Sequence, residues 1–300
     1  MKLLLLGSNG QVGWELQSPM AALGKLKACD RSTLDFIDLD GLRKLIRSYK
    51  PDVIVNAAAY TDVDKAESDE ENAFQVNSKA VDLLAQEAKV LDAWLIHYST
   101  DYVFDGEKMS PYTEEDKTNP LSVYGKTKLQ GEEAIKKSKC KYLIFRTSWL
   151  FGTHGKNFFK TIIKLAKERD ELRVVSNQIG APTSAELVAD VTSLCLYRIA
   201  QNSLSSKEIS GIYHLTSTGK VSWYDFAKYV IIEAQKFGGV FLTNPENIIA
   251  VNTSEYVLPA KRPVNSLLDT QKLCKTFNLY LPAWQIHADR AIKELYLREV

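Results

Sequence analysis

The sequence has few side chains that form disulfides or bind transition metals, and those it has do not cluster. It contains four cysteines and four histidines. The cysteines lie far apart in the chain, at Cys29, Cys140, Cys195 and Cys274. Because no pair has the spacing of a zinc motif, we predict no metal site built from Cys or His. Isolated thiols are typical of a reducing compartment, so we expect a cytoplasmic location.

Long apolar runs and a strong net charge are also missing. No stretch of about 18 apolar residues occurs, so no membrane span is predicted. The 38 Lys and Arg residues nearly balance the 37 Asp and Glu residues, which gives a net charge of +1. A chain with so little net charge gives no sign of the basic surface that binds nucleic acid. With 45% hydrophobic and 25% charged residues, the composition is that of a soluble globular protein.

Short apolar segments alternate with amphipathic ones through the first half of the chain. We predict five buried parallel strands, at KLLLLG, KLKACD, DVIVNAAA, WLIHYST and YLIFRTSW. The helical segments between them are QVGWELQSPMAAL, LDGLRKLIRSY, NAFQVNSKAVDLLAQEAKVL and VYGKTKLQGEEAIKKS. This alternation predicts an α/β fold with a doubly wound, Rossmann-type parallel sheet.

The pattern loosens after about residue 150, where loops and prolines separate the helical segments. We therefore expect a dinucleotide-binding domain over residues 1–150. Residues 151–300 are expected to form mainly a smaller substrate-binding domain, interleaved with the last elements of the sheet.

Three glycines follow the first predicted strand at intervals of three residues. Gly7, Gly10 and Gly13 form a G-x-x-G-x-x-G pattern before the first predicted helix. In such a turn, glycines allow a sharp bend, close approach of a ligand to the backbone, and packing of the helix on the sheet. The amides at the helix N-terminus then bind a pyrophosphate. The pattern predicts a dinucleotide site; incidental glycines in a strand–turn–helix are the alternative.

The second predicted strand ends in an acid, Asp30. An acid about 20 residues beyond the glycines accepts hydrogen bonds from the adenosine ribose. Its charge repels a 2′-phosphate and so favours NADH. Arg31 and Ser32 follow directly and are suited to holding that phosphate, so NADH and NADPH both remain open. An ordinary helix-capping acid is the alternative reading of Asp30.

A second group of residues has the chemistry of proton transfer. Thr100 ends the strand WLIHYST, where ligands bind in open α/β sheets. Tyr124 and Lys128 are four residues apart, so they share one face of a predicted helix. A nearby ammonium lowers the pKa of a phenol. Tyr124 is then suited to donate a proton to a ketone oxygen that Thr100 positions. A chance surface pair is the alternative for a Tyr-x-x-x-Lys pattern on its own.

Together these motifs resemble the extended short-chain dehydrogenase/reductase superfamily and, within it, the dTDP-4-dehydrorhamnose reductase family. The segments that carry the likeness are GSNGQVGWEL, PDVIVNAAAYTDVDKAE, HYSTDYVFDG, YGKTKLQGE, FRTSWLFG, NQIGAPT and RPVNSLLDTQKL. The resemblance implies an enzyme that uses NADH or NADPH to reduce the C4 ketone of a nucleotide sugar, dTDP-4-dehydro-β-L-rhamnose, to dTDP-L-rhamnose.

The resemblance also implies roles for individual residues. Tyr124 would donate the proton, and Lys128 would bind the nicotinamide ribose and tune Tyr124. The residues expected at the sugar are Thr100, Asp101 and Trp149. Those expected at the cofactor are Gly10, Gln11 and Val12 (pyrophosphate), Asp30 (adenosine ribose), Asp35 and Phe36 (adenine), and Ala59, Tyr60 and Thr61 on its other side. Tyr60 departs from the histidine expected in many relatives.

For two of the candidate residues, Trp149 and Arg262, a structural role is the alternative to a role in binding. The flat ring of Trp149 is suited to covering one face of a sugar, but a core tryptophan after a strand is the alternative. Arg262 is suited to pairing with a diphosphate, or it is a surface arginine beside Pro263.

Other functions in the same superfamily remain open. A 4,6-dehydratase is disfavoured, because Tyr102 stands where those enzymes have a glutamate after Thr100 and Asp101. An epimerase uses the same Tyr–Lys pair. A non-catalytic regulatory subunit, like that of methionine adenosyltransferase, is the alternative from another class, although Thr100, Tyr124 and Lys128 are all present.

The sequence leaves the oligomeric state open. Glu15 and Glu186 are acids on predicted helices. If they face one another across the two-fold axis of a homodimer, they are suited to Mg²⁺, which prefers oxygen ligands. Two solvated helix acids are the alternative.

Overall fold

The structure, a computed structural model, describes residues 1–201 and 206–297. Its strands are β1 (Lys2–Leu6), β2 (Lys25–Cys29), β3 (Val53–Asn56), β4 (Trp94–Thr100), β5 (Lys141–Thr147), β6 (Leu150–Phe151), β7 (Leu172–Val175), β8 (Ile179–Gly180), β9 (Thr183–Ser184), β10 (Gly211–His214), β11 (Val221–Ser222) and β12 (Ile248–Val251). Its helices are α1 (Gln11–Ala21), α2 (Leu39–Tyr49), α3 (Val63–Ala66), α4 (Glu70–Phe74), α5 (Ala80–Val90), α6 (Val123–Ser138), α7 (Phe158–Glu168), α8 (Ala185–Ala200), α9 (Ser206–Ile209), α10 (Trp223–Lys236), α11 (Gln271–Phe277) and α12 (Trp284–Leu297).

Six strands form one parallel sheet in the order β10–β5–β4–β3–β1–β2. Parallel neighbours need crossover connections, and helices supply them here. Leu3 in β1 pairs with Leu26 in β2 on one side and with Val53 in β3 on the other. The predicted α/β fold with a doubly wound parallel sheet is confirmed. β10 comes from the second half of the chain and joins the sheet beside β5, while the division into domains at residue 150 stays a prediction.

The run of four leucines in β1 is explained by burial on both faces of the sheet. Leu3 and Leu5 pack in a cluster with side chains of α1 and α8. Leu4 and Leu6 point to the opposite face, where α2 and α5 cover them. All four are almost completely buried. Strands covered on both faces lose the alternation of apolar and polar residues, which is why this one reads as a continuous apolar run.

The expectation that KLKACD is a buried strand is wrong. The segment does form β2, but β2 lies at the edge of the sheet and its residues are mostly exposed, with Cys29 as the buried one. Lys25 and Lys27 are both exposed. Lysines on an edge strand oppose pairing with a further strand, so this charge pattern is suited to an edge.

The predicted helix NAFQVNSKAVDLLAQEAKVL is interrupted. A π-helical turn, Gln75–Lys79, separates α4 from α5. Helix α6 approaches this turn closely, since a Cβ at Gly131 would lie 2.3 Å from the Asn77 carbonyl oxygen. A π turn is often found at functional sites, and this one holds Asn77 beside the cleft described below. α11 and α12 were not predicted. Among the helices in the described ranges, none combines the length and apolar character needed to cross a bilayer.

Candidate active site

A cleft of about 1210 Å³ opens at the carboxyl ends of strands β1 to β5. Ligands bind at this edge in open α/β sheets. The predicted cofactor residues that line it are Gly7, Gly10, Gln11, Val12, Asp30, Asp35, Phe36, Ala59, Tyr60, Thr61 and Tyr124. The predicted substrate residues Thr100, Asp101 and Trp149 line the same cleft. Gly13 and Lys128 lie outside this lining.

The glycine-rich turn brings α1 unusually close to the sheet. Gly7 has a φ of +81°, and a Cβ there would lie 2.5 Å from the Ala58 amide nitrogen. A Cβ at Gly13 would lie 2.0 Å from the Gly7 carbonyl oxygen. Side chains at these positions would push the helix away from β1 and β3. The conformation of Gly7 and the packing of Gly13 therefore both require glycine.

The N-terminus of α1 is suited to an anion. Gly10 is the N-cap residue, no described side chain caps the helix, and its first turn carries no acid. The first amides of a helix have no partner within the helix, and they add to the positive end of the helix dipole. Gln11 and Val12 present this end to the cleft. The residues present therefore fit the pyrophosphate of a nicotinamide dinucleotide.

Asp30 is held in place by its neighbours at the end of β2. One carboxylate oxygen accepts hydrogen bonds from the Ser32 backbone N–H, at 2.8 Å, and the Ser32 hydroxyl, at 2.6 Å. The other accepts from the Asn9 side-chain amide. These hydrogen bonds to Ser32 lower the pKa of Asp30, so a charged carboxylate faces the cleft. Asn9 lies in the glycine-rich turn but does not belong to the glycine pattern, and sequence reasoning missed it.

Tyr124 is brought to the end of β4 by the first turn of α6. The Ser122 hydroxyl caps this helix by accepting from the Gly125 N–H at 3.2 Å. A Cβ at Gly125 would lie 2.2 Å from the Tyr102 carbonyl oxygen, so glycine lets α6 pack directly on the turn after β4. Burial raises the pKa of Tyr124 to about 12, while a hydrogen bond with Thr100 lowers it and the charge of Asp101 raises it.

Lys128 does not act on Tyr124 as the spacing predicts. Its Nζ donates to the Tyr98 carbonyl oxygen at 2.6 Å and lies 3.2 Å from Nε2 of His97. Burial lowers the pKa of Lys128 to about 8, although Glu132 opposes the shift. The expectation that an ammonium lowers the pKa of Tyr124 is therefore wrong for this structure. Burial dominates, and the groups that modify it are Thr100 and Asp101.

Trp149 lines the cleft with its ring already in contact with other groups. It stacks on Trp223, with ring centroids 3.5 Å apart and planes 10° apart. A Cβ at Gly180 would lie 2.4 Å from the indole. Trp149 also has a left-handed backbone, with a φ of +49°, which is uncommon for a bulky residue. The stacking on Trp223 restrains the ring, and the predicted contact with a sugar stays a prediction.

Asn77 in the π turn holds Tyr60, a residue that lines the cleft, and sequence reasoning missed this contact. Its Oδ1 accepts from the Tyr60 N–H at 2.9 Å, and its Nδ2 donates to the Tyr60 carbonyl oxygen at 3.1 Å. The Tyr60 hydroxyl donates to Asp69 at 2.9 Å. The backbone N–H of Tyr60 therefore already has a partner within the protein. No periodicity distinguishes Asn77 from its helical neighbours, so only the tertiary packing reveals it.

Arg262 is committed to a partner in the chain. Its guanidinium donates to both carboxylate oxygens of Asp64, at 3.1 and 2.7 Å. Arg262 lies outside the lining of the cleft. Its hydrogen bonds lower the pKa of Asp64. This bidentate contact matches neither of the two expectations for Arg262, a surface side chain or a ligand of a diphosphate.

The structure does not support a Mg²⁺ site at Glu15 and Glu186. Glu186 forms an ion pair with Arg290 at 2.7 Å. Burial raises the pKa of Glu15, and the charge of Glu294 adds to the shift. Within residues 1–201 and 206–297, no group of three or more His, Cys, Asp or Glu side chains is placed to hold a metal ion. A homodimer stays a prediction.

Asp101 gives a testable dependence of stability on pH. Burial raises the pKa of its carboxyl group to about 6, although hydrogen bonds with Ser266 and Thr100 lower it in part. Between the ordinary aspartate pKa of about 4 and this value of about 6, the folded protein holds a proton that the unfolded chain has lost. Stability from this group therefore falls as pH rises toward 6 and beyond.

We expect Asp101→Asn to remove this penalty, because an amide does not ionise. Relative to the parent chain, the variant should gain roughly 1 kcal/mol more stability at pH 8 than at pH 5. Urea unfolding at the two pH values measures the difference. An equal change in the free energy of unfolding at both would contradict the buried, titrating carboxylate.

Comparison with known proteins agrees with this geometry. Residues 1–297 match a family model described as the RmlD substrate binding domain. The chain is 48% identical to the dTDP-4-dehydrorhamnose reductase of Escherichia coli K12, over 99% of this chain and 98% of that protein.

Two solved structures show the same likeness in three dimensions. A dTDP-4-dehydrorhamnose reductase from Clostridium acetobutylicum superposes with a TM-score of 0.87 at 37% identity, over 98% of this chain and 99% of that one. The Bacillus anthracis enzyme, in complex with NADP, gives a TM-score of 0.86 at 32% identity over the same shares. By sequence, by structure and by its cleft, this chain belongs to the dTDP-4-dehydrorhamnose reductase family and is a nicotinamide-dependent oxidoreductase.

Proposed function

We propose that this chain reduces the C4 ketone of dTDP-4-dehydro-β-L-rhamnose, forming dTDP-L-rhamnose, with Tyr124 as the proton donor. The observation that carries the proposal is that Tyr124 and Thr100 interact with each other and line the same cleft as the glycine-rich turn. The names of relatives at 48% and 37% identity support the choice of substrate.

The residues suit reduction rather than oxidation. A nicotinamide cofactor, when bound, supplies the hydride for the ketone carbon. Tyr124 supplies the proton for the ketone oxygen, and its raised pKa keeps it protonated at neutral pH, as a donor must be. Thr100 is within hydrogen-bond reach of Tyr124, so its hydroxyl is placed to orient the same oxygen.

The contacts to the rest of the substrate follow from position. We assign Asp101 and Trp149 to the sugar because they line the cleft beside Thr100. Binding of the nucleotide, remote from the ketone, then fixes the ketone near Tyr124. A sugar without the nucleotide should therefore react poorly.

Isotope transfer tests the proposal directly. The chain is incubated with dTDP-4-dehydro-L-rhamnose and NADH or NADPH that carries deuterium at the transferred position. NMR should show deuterium at C4 of dTDP-L-rhamnose, with one cofactor consumed for each product. Product without label or cofactor loss would indicate an epimerase, and no turnover at all would favour the regulatory-subunit alternative.

The choice between NADH and NADPH gives a further prediction. Asp30 and Arg31 both line the cleft at the end of β2. We expect Asp30→Ala to raise kcat/KM for NADPH relative to NADH, since a negative charge beside the 2′-phosphate is lost. Arg31→Ala should lower the same ratio by about 10-fold or more, the scale of one hydrogen bond to a charged group.

Lys27→Ala is the matched control for this experiment. Lys27 is an exposed charge on the same strand, and it lies outside the lining of the cleft. Its removal should leave the ratio unchanged. If Asp30→Ala and Arg31→Ala also leave the ratio unchanged, neither residue lies at the adenosine ribose.

A further inference from the structure

A short loop from the second half of the chain reaches the glycine-rich turn. It comprises residues 152–157, between β6 and α7, and we call it the clasp loop. Gly155 and Lys156 of this loop line the cleft together with Gly10 and Gln11 of the turn. The function proposed above uses no side chain of the clasp loop.

His154 is the first anchor of the clasp loop. Its ring stacks on Trp14 of α1, with ring centroids 4.4 Å apart and planes 8° apart. Its Nε2 lies 3.0 Å from the Asn9 carbonyl oxygen. Because a carbonyl oxygen only accepts, Nε2 carries the hydrogen and donates it. The loop is therefore tied both to the glycine-rich turn and to the helix that follows it.

Asn157 is the second anchor. Its Oδ1 accepts from the Lys160 N–H at 3.0 Å and so caps α7, which leaves its Nδ2 to face the turn. Nδ2 donates to Oε1 of Gln11 at 2.7 Å and to the Gly152 carbonyl oxygen at 2.8 Å. The cap of α7 is thus joined directly to the first residue of α1.

Gly155 allows the loop to pack on Gln11 between these two anchors. Its φ is +74°, and a Cβ there would lie 2.9 Å from Cγ of Gln11. Glycine accepts this conformation without the strain that a side chain would bring. Since His154 and Asn157 are held on either side, the backbone of Lys156 is fixed beside the N-terminus of α1.

The charge of Lys156 has no partner in the described parts of the chain. Lys156 is exposed, and within residues 1–201 and 206–297 no side chain or backbone group forms a hydrogen bond or ion pair with its ammonium. The nearby Lys160 differs, because its Nζ donates to the Thr153 carbonyl oxygen at 2.9 Å. Among the described residues that line the cleft, Arg31 and Lys156 are the two cations.

We propose that Lys156 binds the pyrophosphate of the nicotinamide dinucleotide, beside the amides of α1. The N-terminus of a helix offers about half a positive charge, and the first turn of α1 carries no acid. A dinucleotide pyrophosphate carries one negative charge on each phosphate. An ammonium on a flexible four-carbon stem supplies a full positive charge to the same group.

This inference rests on the proposed function in one respect, the binding of the cofactor pyrophosphate at the start of α1. The two cations of the cleft are then expected to act on different groups. Arg31, at the end of β2, is suited to the 2′-phosphate, which only NADPH carries. The pyrophosphate is common to NADPH and NADH, so removal of Lys156 should weaken both cofactors by the same factor.

Calorimetric titration of the chain with NADPH and with NADH tests the proposal without turnover. Lys156→Ala should raise Kd for both cofactors by about 10-fold, the scale of one hydrogen bond to a charged group. Lys156→Arg keeps the charge and should stay within about 3-fold of the parent chain. Titration with dTDP-L-rhamnose should give an unchanged Kd in both variants.

Lys164→Ala is the matched control. Lys164 is an exposed lysine on α7, and it lies outside the lining of this cleft. The variant removes the same charge and should leave both cofactor Kd values unchanged. An equal loss in Lys164→Ala and Lys156→Ala, or no loss in Lys156→Ala, would contradict the proposal.

Two further outcomes would also overturn it. A loss confined to NADPH would place Lys156 at the 2′-phosphate, and a loss confined to dTDP-L-rhamnose would place it at the diphosphate of the sugar. Failure of the proposed function has a different signature. In that case both cofactors bind in a manner that depends on Lys156, but no hydride reaches dTDP-4-dehydro-L-rhamnose.

Discussion

Tyr124→Phe is expected to lower kcat by about 10²-fold or more, the scale of a lost general acid. The hydroxyl is the only group removed, and it interacts with Thr100 at the end of β4. The ring is expected to keep its edge-to-face contact with Tyr102, whose centroid lies 5.6 Å away. Binding of the nucleotide sugar should therefore survive. Steady-state kinetics and calorimetric titration with dTDP-L-rhamnose measure the two effects separately.

Tyr102→Phe is the matched control for this variant. Tyr102 lines the same cleft and lies next to Tyr124, but its hydroxyl interacts with Arg262. Its loss should change kcat by less than about 10-fold. If the two variants lose the same turnover, or if Tyr124→Phe turns over at a near-normal rate, another group donates the proton.

Glu132→Gln is expected to reduce the free energy of unfolding by about 3 kcal/mol or more. Glu132 is completely buried and Arg146 is 2% exposed. Their bidentate pair has distances of 2.9 and 2.6 Å, and the Ser99 hydroxyl donates to the same carboxylate at 2.5 Å. Glutamine keeps the shape of the side chain but leaves the Arg146 charge buried without an opposite charge.

Glu133→Gln, one residue further along α6, is the control for charge removal. Glu133 pairs with Lys136 on the surface, and its side chain is 58% exposed. Exposed pairs of this kind contribute about 1 kcal/mol or less. Urea denaturation of both variants at pH 7 gives the comparison. Similar losses for Glu132 and Glu133 would mean that the buried pair contributes no more than an exposed one.

The first five strands and the longer helices between them follow from patterns that are local in the sequence. Leu3 to Leu6 read as a buried strand because both faces of β1 are covered. Helix α6 begins and ends where its segment was predicted, and Ser122 supplies the expected kind of N-cap. β2 was assigned as buried although its lysines suit an edge strand, because a local pattern does not by itself decide whether a strand is central or at an edge. That difference depends on which neighbours a strand finds.

The candidate site divides in the same way. Gly7, Gly10, Thr100 and Tyr124 stand next to strand ends or helix starts, so their place at one edge of a parallel sheet follows from the alternation of elements. Asn77 and His97 carry no such signal. Each acts through a partner distant in sequence, Asn77 on the backbone of Tyr60 and His97 on Lys128.

The sequence alone determined the doubly wound sheet, the glycine-rich turn and the family, because hydrophobic period, glycine spacing and motif order are written along the chain. The tertiary structure decided the state of the site. The place of Lys128 relative to Tyr124 depends on burial and on the groups around its Nζ, the His97 ring and the Tyr98 carbonyl oxygen. Burial and these contacts exist only after β4 and α6 have packed together, since both elements supply the atoms.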